Sequence, residues 1–293
     1  MQNLVHSQAE IEKHIDEVLE KEAFFLNFQP KVFISSGDLC GYEALLRLPL
    51  LGGMYVQPGE VIDIAEKNGK IIEIGAFVIK EACRCLSSLS RIVPSGLLLP
   101  LSINVSALQF AAPGFFEYIQ SQLIYFSIEN LSHLLEIEVT ESMMIHDTES
   151  VVLILSKLKC LGIKFAIDDF GIGYSSLNRL KHLPFDYLKI DKSFVENIES
   201  SEKDRLVIEA IILLAAKFGM EVIAEGVETA FQADWLLKAG CKMGQGFLFG
   251  KPQPFDEVMG CRPTNDQIVL VCDKPIRQHL PRTQTCRSCG EAV

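Results

Sequence analysis

Short apolar runs alternate with longer amphipathic stretches along this chain. Eight runs read as strands, at about 24–33, 41–48, 98–105, 134–140, 163–168, 186–190, 221–225 and 243–249. Between most of them apolar residues recur at intervals of three and four, the period of a helix with one buried face. Such stretches cover 61–66, 75–89, 150–160, 204–218 and 229–239. In the fourth of these, Leu206, Ala210, Leu213, Leu214 and Lys217 are spaced as one buried stripe. Gly162, Gly219 and Gly240 fall where helices should stop, just before a strand. Eight strands alternating with helices over about 250 residues predict a (β/α)8 TIM barrel. The first connection, Ser35-Ser36-Gly37-Asp38, is too short for a helix and predicts a hairpin. The barrel would then be a modified one, with one antiparallel strand. A doubly wound open sheet fits the same alternation, and the pattern alone does not separate the two.

The ends of the chain differ from its middle. Residues 1–22 are expected to form an N-terminal helix, with Ile11, Ile15, Val18 and Leu19 on its apolar side. Residues 23–260 hold the barrel. Residues 261–293 contain no aromatic residue, three prolines and five basic to three acidic residues, and read as a mostly irregular tail. Its Cys286-Arg287-Ser288-Cys289 is one CxxC with no second pair; a structural zinc needs four ligands, and only Cys272 and His279 lie near.

Composition narrows the function. Of 293 residues 48% are hydrophobic and 22% charged, which excludes bulk disorder. The net charge of −11 argues against a duplex nucleic-acid surface, which needs basic patches. There is no uncharged apolar run of membrane-spanning length. The polar, acidic N-terminus has no signal-peptide core. Nine cysteines, most of them single within apolar segments, read as reduced core thiols of a cytoplasmic protein.

The chemistry is concentrated where the apolar runs end, the rim on which barrels place their active sites. Strand two supplies Glu43 and Arg47, and strand three Asn104. Strand four gives Glu138 and Glu141, and strand five Asp168 and Asp169. Strand six gives Lys189 and Asp191, strand seven Glu225 and Glu228, strand eight Gln245. So many carboxylates around one mouth repel one another unless countercharge is present. All the donors are hard oxygens and no histidine falls among them, which favours Mg²⁺ or Mn²⁺ over zinc. Adjacent Asp168 and Asp169 can bridge two cations, the usual device for in-line attack of water on a phosphodiester. Lys189 could orient or deprotonate that water, and Arg47 could grip a phosphate oxygen.

Each of these residues has a bland alternative. Asp168 or Asp169 alone could cap a helix, Glu225 could open a turn, and Lys189 could be a surface lysine. The alternative weakens because it must hold at seven strand ends at once. For Glu141 and Glu228 a first-turn helix role stands level with catalysis. The loop Gly171-Ile172-Gly173-Tyr174-Ser175-Ser176 reads as a lid or hinge rather than a phosphate cradle.

These residues lie in motifs that resemble the EAL domain, the cyclic di-GMP phosphodiesterases of bacteria. Tyr42-Glu43-Ala44-Leu45-Leu46-Arg47 is similar to the family signature. The likeness continues through Phe28-Gln29-Pro30, Ser102-Ile103-Asn104-Val105-Ser106 and Glu138-Val139-Thr140-Glu141. It goes on through Asp168-Asp169-Phe170-Gly171, Leu188-Lys189-Ile190-Asp191, Ala224-Glu225-Gly226-Val227-Glu228 and Gln245-Gly246-Phe247. It spans roughly residues 23–255.

The resemblance implies metal-dependent hydrolysis of cyclic di-GMP to linear pGpG, with two Mg²⁺ or Mn²⁺ ions. Glu43, Asn104, Glu138 and Asp168 would hold one ion, and Asp168 and Asp169 would help hold the second. Lys189 and Glu225 would position or activate water. Gln29, Arg47 and Gln245 would contact the substrate or the ligand network. Glu141 would brace the loop from Asp169, coupling it to the contacts of a homodimer. Departures occur at Leu48, where many members have Trp, and at Ile172, Phe247 and Gly59-Glu60-Val61-Ile62-Asp63. None removes an implied ligand. A catalytically silent cyclic di-GMP receptor or a protein-interaction regulator are the rival functions; a receptor usually loses one of the metal or water-positioning residues and a regulator would lose the rim, and here none is lost.

Overall fold

The computed structural model describes residues 7–51, 56–141, 143, 148–172, 180 and 183–259, and the backbone of 261–264 and 267–270. It is a closed barrel. The strands are β1 (Phe25–Phe33), β2 (Leu39–Arg47), β3 (Leu101–Asn104), β4 (Leu135–Thr140), β5 (Lys164–Phe170), β6 (Tyr187–Ile190), β7 (Glu221–Ala224) and β8 (Met243–Gln245). From β2 to β8 neighbouring strands are parallel and in chain order. β1 runs antiparallel to both β2 and β8 and so closes the ring. That closure decides against the open sheet. The hairpin expected at 35–38 joins β1 to β2, where Gly37 takes a left-handed φ of 72°. A short β9 (Gln253–Pro254) adds to β1 outside the ring.

Helices wrap the barrel: α1 (Gln8–Glu20), α2 (Pro58–Asn68), α3 (Ile71–Ser90), α4 (Ala107–Phe110), α5 (Phe115–Tyr125), α6 (Thr148–Cys160), α7 (Lys192–Glu196), α8 (Glu202–Lys217), α9 (Ala230–Ala239) and α10 (Phe255–Met259). Their ends follow local chemistry. Thr229 caps α9 by accepting from the Gln232 N–H, the Gln232 side chain accepts from the Thr229 N–H, and Gly240 at φ 101° ends the helix. α8 departs from the expected stripe. Its buried residues are Ile208, Ile211 and Ala215, whereas Leu206 and Leu213 are 58% and 61% exposed. Both sets have helical spacing, so periodicity cannot say which one meets the sheet.

The main core lies between sheet and helices. In β4, Leu135, Ile137 and Val139 point outward into it, so the alternate residues Glu136 and Glu138 face the barrel interior. Burying each such aliphatic side chain contributes about 1.5–3 kcal/mol. A second cluster docks α1, through Ile11, Ile15 and Val18, against Leu48, Val61 and Ile64. His14 of α1 hydrogen-bonds the Pro49 carbonyl at 2.9 Å. Beyond the barrel, β10 (Cys261–Thr264) and β11 (Gln267–Leu270) form an antiparallel pair. The CxxC at 286–289, with Cys272 and His279, lies outside the described residues, as does most of the glycine loop from Gly173 on. Among the described residues no helix is long and apolar enough to cross a membrane.

Candidate active site

Strand register delivers the polar residues to one mouth. Gln29 of β1 faces Glu43 of β2, Asn104 of β3 faces Glu138 of β4, and Thr140 faces Asp168 of β5. The β5–β6 ladder is interrupted between Ile167 and Phe170, which frees Asp168 and Asp169 from regular pairing. Asp169 adopts a left-handed φ of 55°, a conformation that Asp tolerates better than most residues, and its N–H donates to Asp168 Oδ1 at 3.0 Å.

Lys189 of β6 stands at the centre, with 0% exposure. Its Nζ lies 2.6 Å from Glu225 Oε1, 3.2 Å from Asp168 Oδ1 and 3.7 Å from Glu43 Oε2, and it donates to Glu138 Oε2. Four strands thus aim carboxylates at one ammonium. Burial alone would depress the Lys189 pKa, but Asp168, Glu138, Glu225 and Glu43 outweigh it and hold it well above the usual lysine range. The carboxylates share too little positive charge. Burial pushes Glu43 and Asp168 up and Glu225 well up, against the pull of Lys189. Burial would raise Glu138 too, yet Lys189 and Lys31 together bring it below its ordinary value.

The amides form an outer layer. Asn104 Nδ2 donates to Glu43 Oε1 at 2.6 Å. Gln245 Nε2 donates to Glu43 Oε2 at 2.6 Å and to Gln29 Oε1 at 3.1 Å. Gln29 in turn donates to the Gly250 carbonyl at 3.1 Å. Glu141 is buried and accepts from the Gly171 N–H at 3.4 Å, at the start of the glycine loop. Arg47 stands apart from the carboxylates. Its guanidinium donates to the Leu46 carbonyl, and the residue lines an adjoining cavity of about 240 Å³ walled by Ile62, Ile74 and Val78 and bordered by Asn104 and Asp168.

The donor set suits a hard divalent cation. Asp168, Asp169 and Glu225 can each bring a carboxylate oxygen within 4.8 Å of the others. Glu138 Oε1 is buried without a hydrogen-bond partner. Excess buried carboxylate and an unpartnered oxygen are what a cation site of this kind presents. Two charged residues escape a search confined to strand ends: Lys31 in β1 and Glu136 in β4, an ion pair of 2.5 Å deeper in the barrel. Each lies two residues from a rim residue, Gln29 and Glu138, so the two-residue period of a strand would have found them.

The EAL domain profile matches residues 12–252. The chain is 37% identical over 254 residues to the bifunctional diguanylate cyclase/cyclic di-GMP phosphodiesterase MucR of Pseudomonas aeruginosa, covering 86% of this chain and 36% of that protein. It is 41% identical over 239 residues to the signaling protein YkoW of Bacillus subtilis, covering 81% of this chain and 29% of that one. The chain therefore spans roughly a third of the length of these curated relatives. A solved structure of the PaMucR phosphodiesterase in complex with c-di-GMP superposes with a TM-score of 0.80 at 36% identity, covering 85% of this chain and 99% of that one. Barrel, rim and match agree: this chain belongs to the EAL domain family.

Proposed function

We propose that this protein hydrolyses cyclic di-GMP to linear pGpG. The observation that carries the reading is the buried ammonium of Lys189 set among four carboxylates from four strands. Glu43, Asn104, Glu138 and Asp168 would hold one Mg²⁺ or Mn²⁺ ion, and Asp168 with Asp169 a second. Bound there, the ions would neutralise phosphate charge and supply activated water at neutral pH. Lys189 and Glu225, 2.6 Å apart, orient the attacking water, Lys189 as a donor and the Glu225 carboxylate as the group that receives its proton. One P–O bond forms to the water oxygen, the P–O3′ bond breaks, and the freed 3′-oxygen takes up a proton. Gln29 and Gln245 fix the rotamer of Glu43, and Arg47 reaches substrate from the adjoining cavity. Glu141 braces the loop that begins at Asp169.

We further propose that residues 23–260 form the catalytic unit, with 1–22 leading in and 261–293 as an appendage. The protein acts as a cytoplasmic homodimer in this reading. Free buried thiols at Cys83, Cys85 and Cys241 fit a reducing compartment. Exposed Ile172, Leu206 and Leu213 supply apolar surface for a second copy.

The test is turnover of cyclic di-GMP with Mg²⁺ or Mn²⁺, products separated by chromatography, with Glu43→Ala as control. Metal-dependent pGpG that disappears in the variant is expected. Tight binding of nucleotide that stays intact would overturn the enzyme in favour of a receptor; neither turnover nor binding would favour a protein-interaction regulator.

A further inference from the structure

Lys31 is a second buried ammonium, which the proposed chemistry leaves unused. It is 3% exposed and projects from β1 into the barrel beneath the carboxylate ring. Its Nζ donates to Glu136 Oε2 at 2.5 Å and to Ser102 Oγ at 3.3 Å, and lies 3.8 Å from Glu138 Oε1. That oxygen has no hydrogen bond, while Lys189 holds the other oxygen of the same carboxylate. Glu138 thus sits between two ammoniums, one at the rim and one below.

The neighbouring strands are built around this lysine. Gly41 lies directly across the ladder from it. A Cβ on Gly41 would come within 3.0 Å of Lys31 Cε and 3.1 Å of the Pro100 carbonyl oxygen, so any larger residue crowds the lysine stem. The register of β1 against β2 shifts between Lys31 and Val32, the kind of irregularity that re-aims a side chain. Burying an ammonium is costly, and a pair of this sort is often replaceable by apolar residues without loss of stability.

We propose that Lys31 is a positioning residue: braced on Glu136 and Ser102, it fixes the Glu138 carboxylate from below and so sets the affinity of the site for its divalent cation. The inference rests on the reading of Glu138 as a metal ligand. Its rival is that Lys31 merely neutralises Glu136.

Lys31→Met/Glu136→Gln separates the two. It removes both charges of the pair, keeps the volume and leaves no buried charge unpaired. If Lys31 positions Glu138, the Mn²⁺ dissociation constant of the full chain, measured by calorimetry without nucleotide, rises about tenfold or more. kcat falls with it, and KM for cyclic di-GMP holds. Ser102→Ala removes one brace and no charge; a smaller rise in the same direction is expected, and it stands in if the double variant does not fold. Parental Mn²⁺ affinity in the folded double variant, or in Ser102→Ala if it stands in, overturns the inference and leaves metal-dependent turnover untouched. No Mn²⁺ binding by the unsubstituted protein overturns the metal reading itself, and the inference with it.

Discussion

Lys189 is the residue on which most of the buried charge depends. Lys189→Met would leave Glu43, Asp168 and Glu225 facing one another without a cation, and Glu138 with Lys31 alone. Breaking a buried ion pair by removing one partner costs about 3–5 kcal/mol. Thermal melts in EDTA should show a loss of that order, and Mn²⁺ should raise the melting temperature of the variant more than that of the parent. The buried thiols give a second prediction at this scale. Burial pushes Cys83, Cys85 and Cys241 each up to about 12, from 9.0. Below pH 9 they are protonated in folded and unfolded chains alike, and their contribution is fully present. Between pH 9 and 12 only the unfolded chain releases the protons, so stability falls as pH rises, by about 1.4 kcal/mol per unit for each thiol. Denaturant melts across that range test it, and the slope should lessen in Cys241→Ala. The convergence of rim residues was legible in the sequence because each ends an apolar run. Lys31 and Glu136 were legible only through the two-residue period that links them to Gln29 and Glu138, because they sit inside runs where an apolar neighbour on either side disguises an inward-facing charge.

Among the elements, the turn out of β8 tolerates no side chain. A Cβ on Gly246 would lie 2.2 Å from the Val227 carbonyl oxygen and 2.3 Å from its nitrogen. Gly246→Ala must push the two backbones apart, at about 1–3 kcal/mol or more, and shift Gln245 beside it; a lowered melting temperature together with a raised KM for cyclic di-GMP would show both effects. α1 is held in another way, by an apolar face and the hydrogen bond from His14 to the Pro49 carbonyl. His14→Ala should cost about 1–3 kcal/mol, since it leaves a carbonyl unpaired, and hydrogen exchange should quicken in α1 before it does in β4. The elements themselves were mostly legible, to within a few residues at their ends. The choice between barrel and open sheet was not, because closure rests on pairs such as Lys31 with Gln245, more than two hundred residues apart in the chain. The face of α8 was also illegible: two apolar stripes of equal period compete, and only the sheet beneath decides.

At the scale of the whole molecule, the stripe of α8 left outside predicts assembly. Leu206→Glu/Leu213→Glu should turn a dimer into a monomer by light scattering, while stability changes by no more than about 0.5 kcal/mol because both side chains are exposed. A parent protein that is monomeric at micromolar concentration would sink the homodimer. The reversed direction of β1 has a consequence for how such a molecule can be governed. Phe25 pairs with Arg47, so the first strand starts at the carboxylate rim, and the helix before it rests on Leu48 and Pro49. Were β1 parallel to the rest, that helix would meet the barrel at the far face, about 30 Å away, the length of a nine-residue strand. Turning one strand around puts the handle of the molecule on the same side as its working edge. A displacement of α1 would reach Leu48 and Pro49, next to Arg47 in the chain, with no need to travel through the barrel.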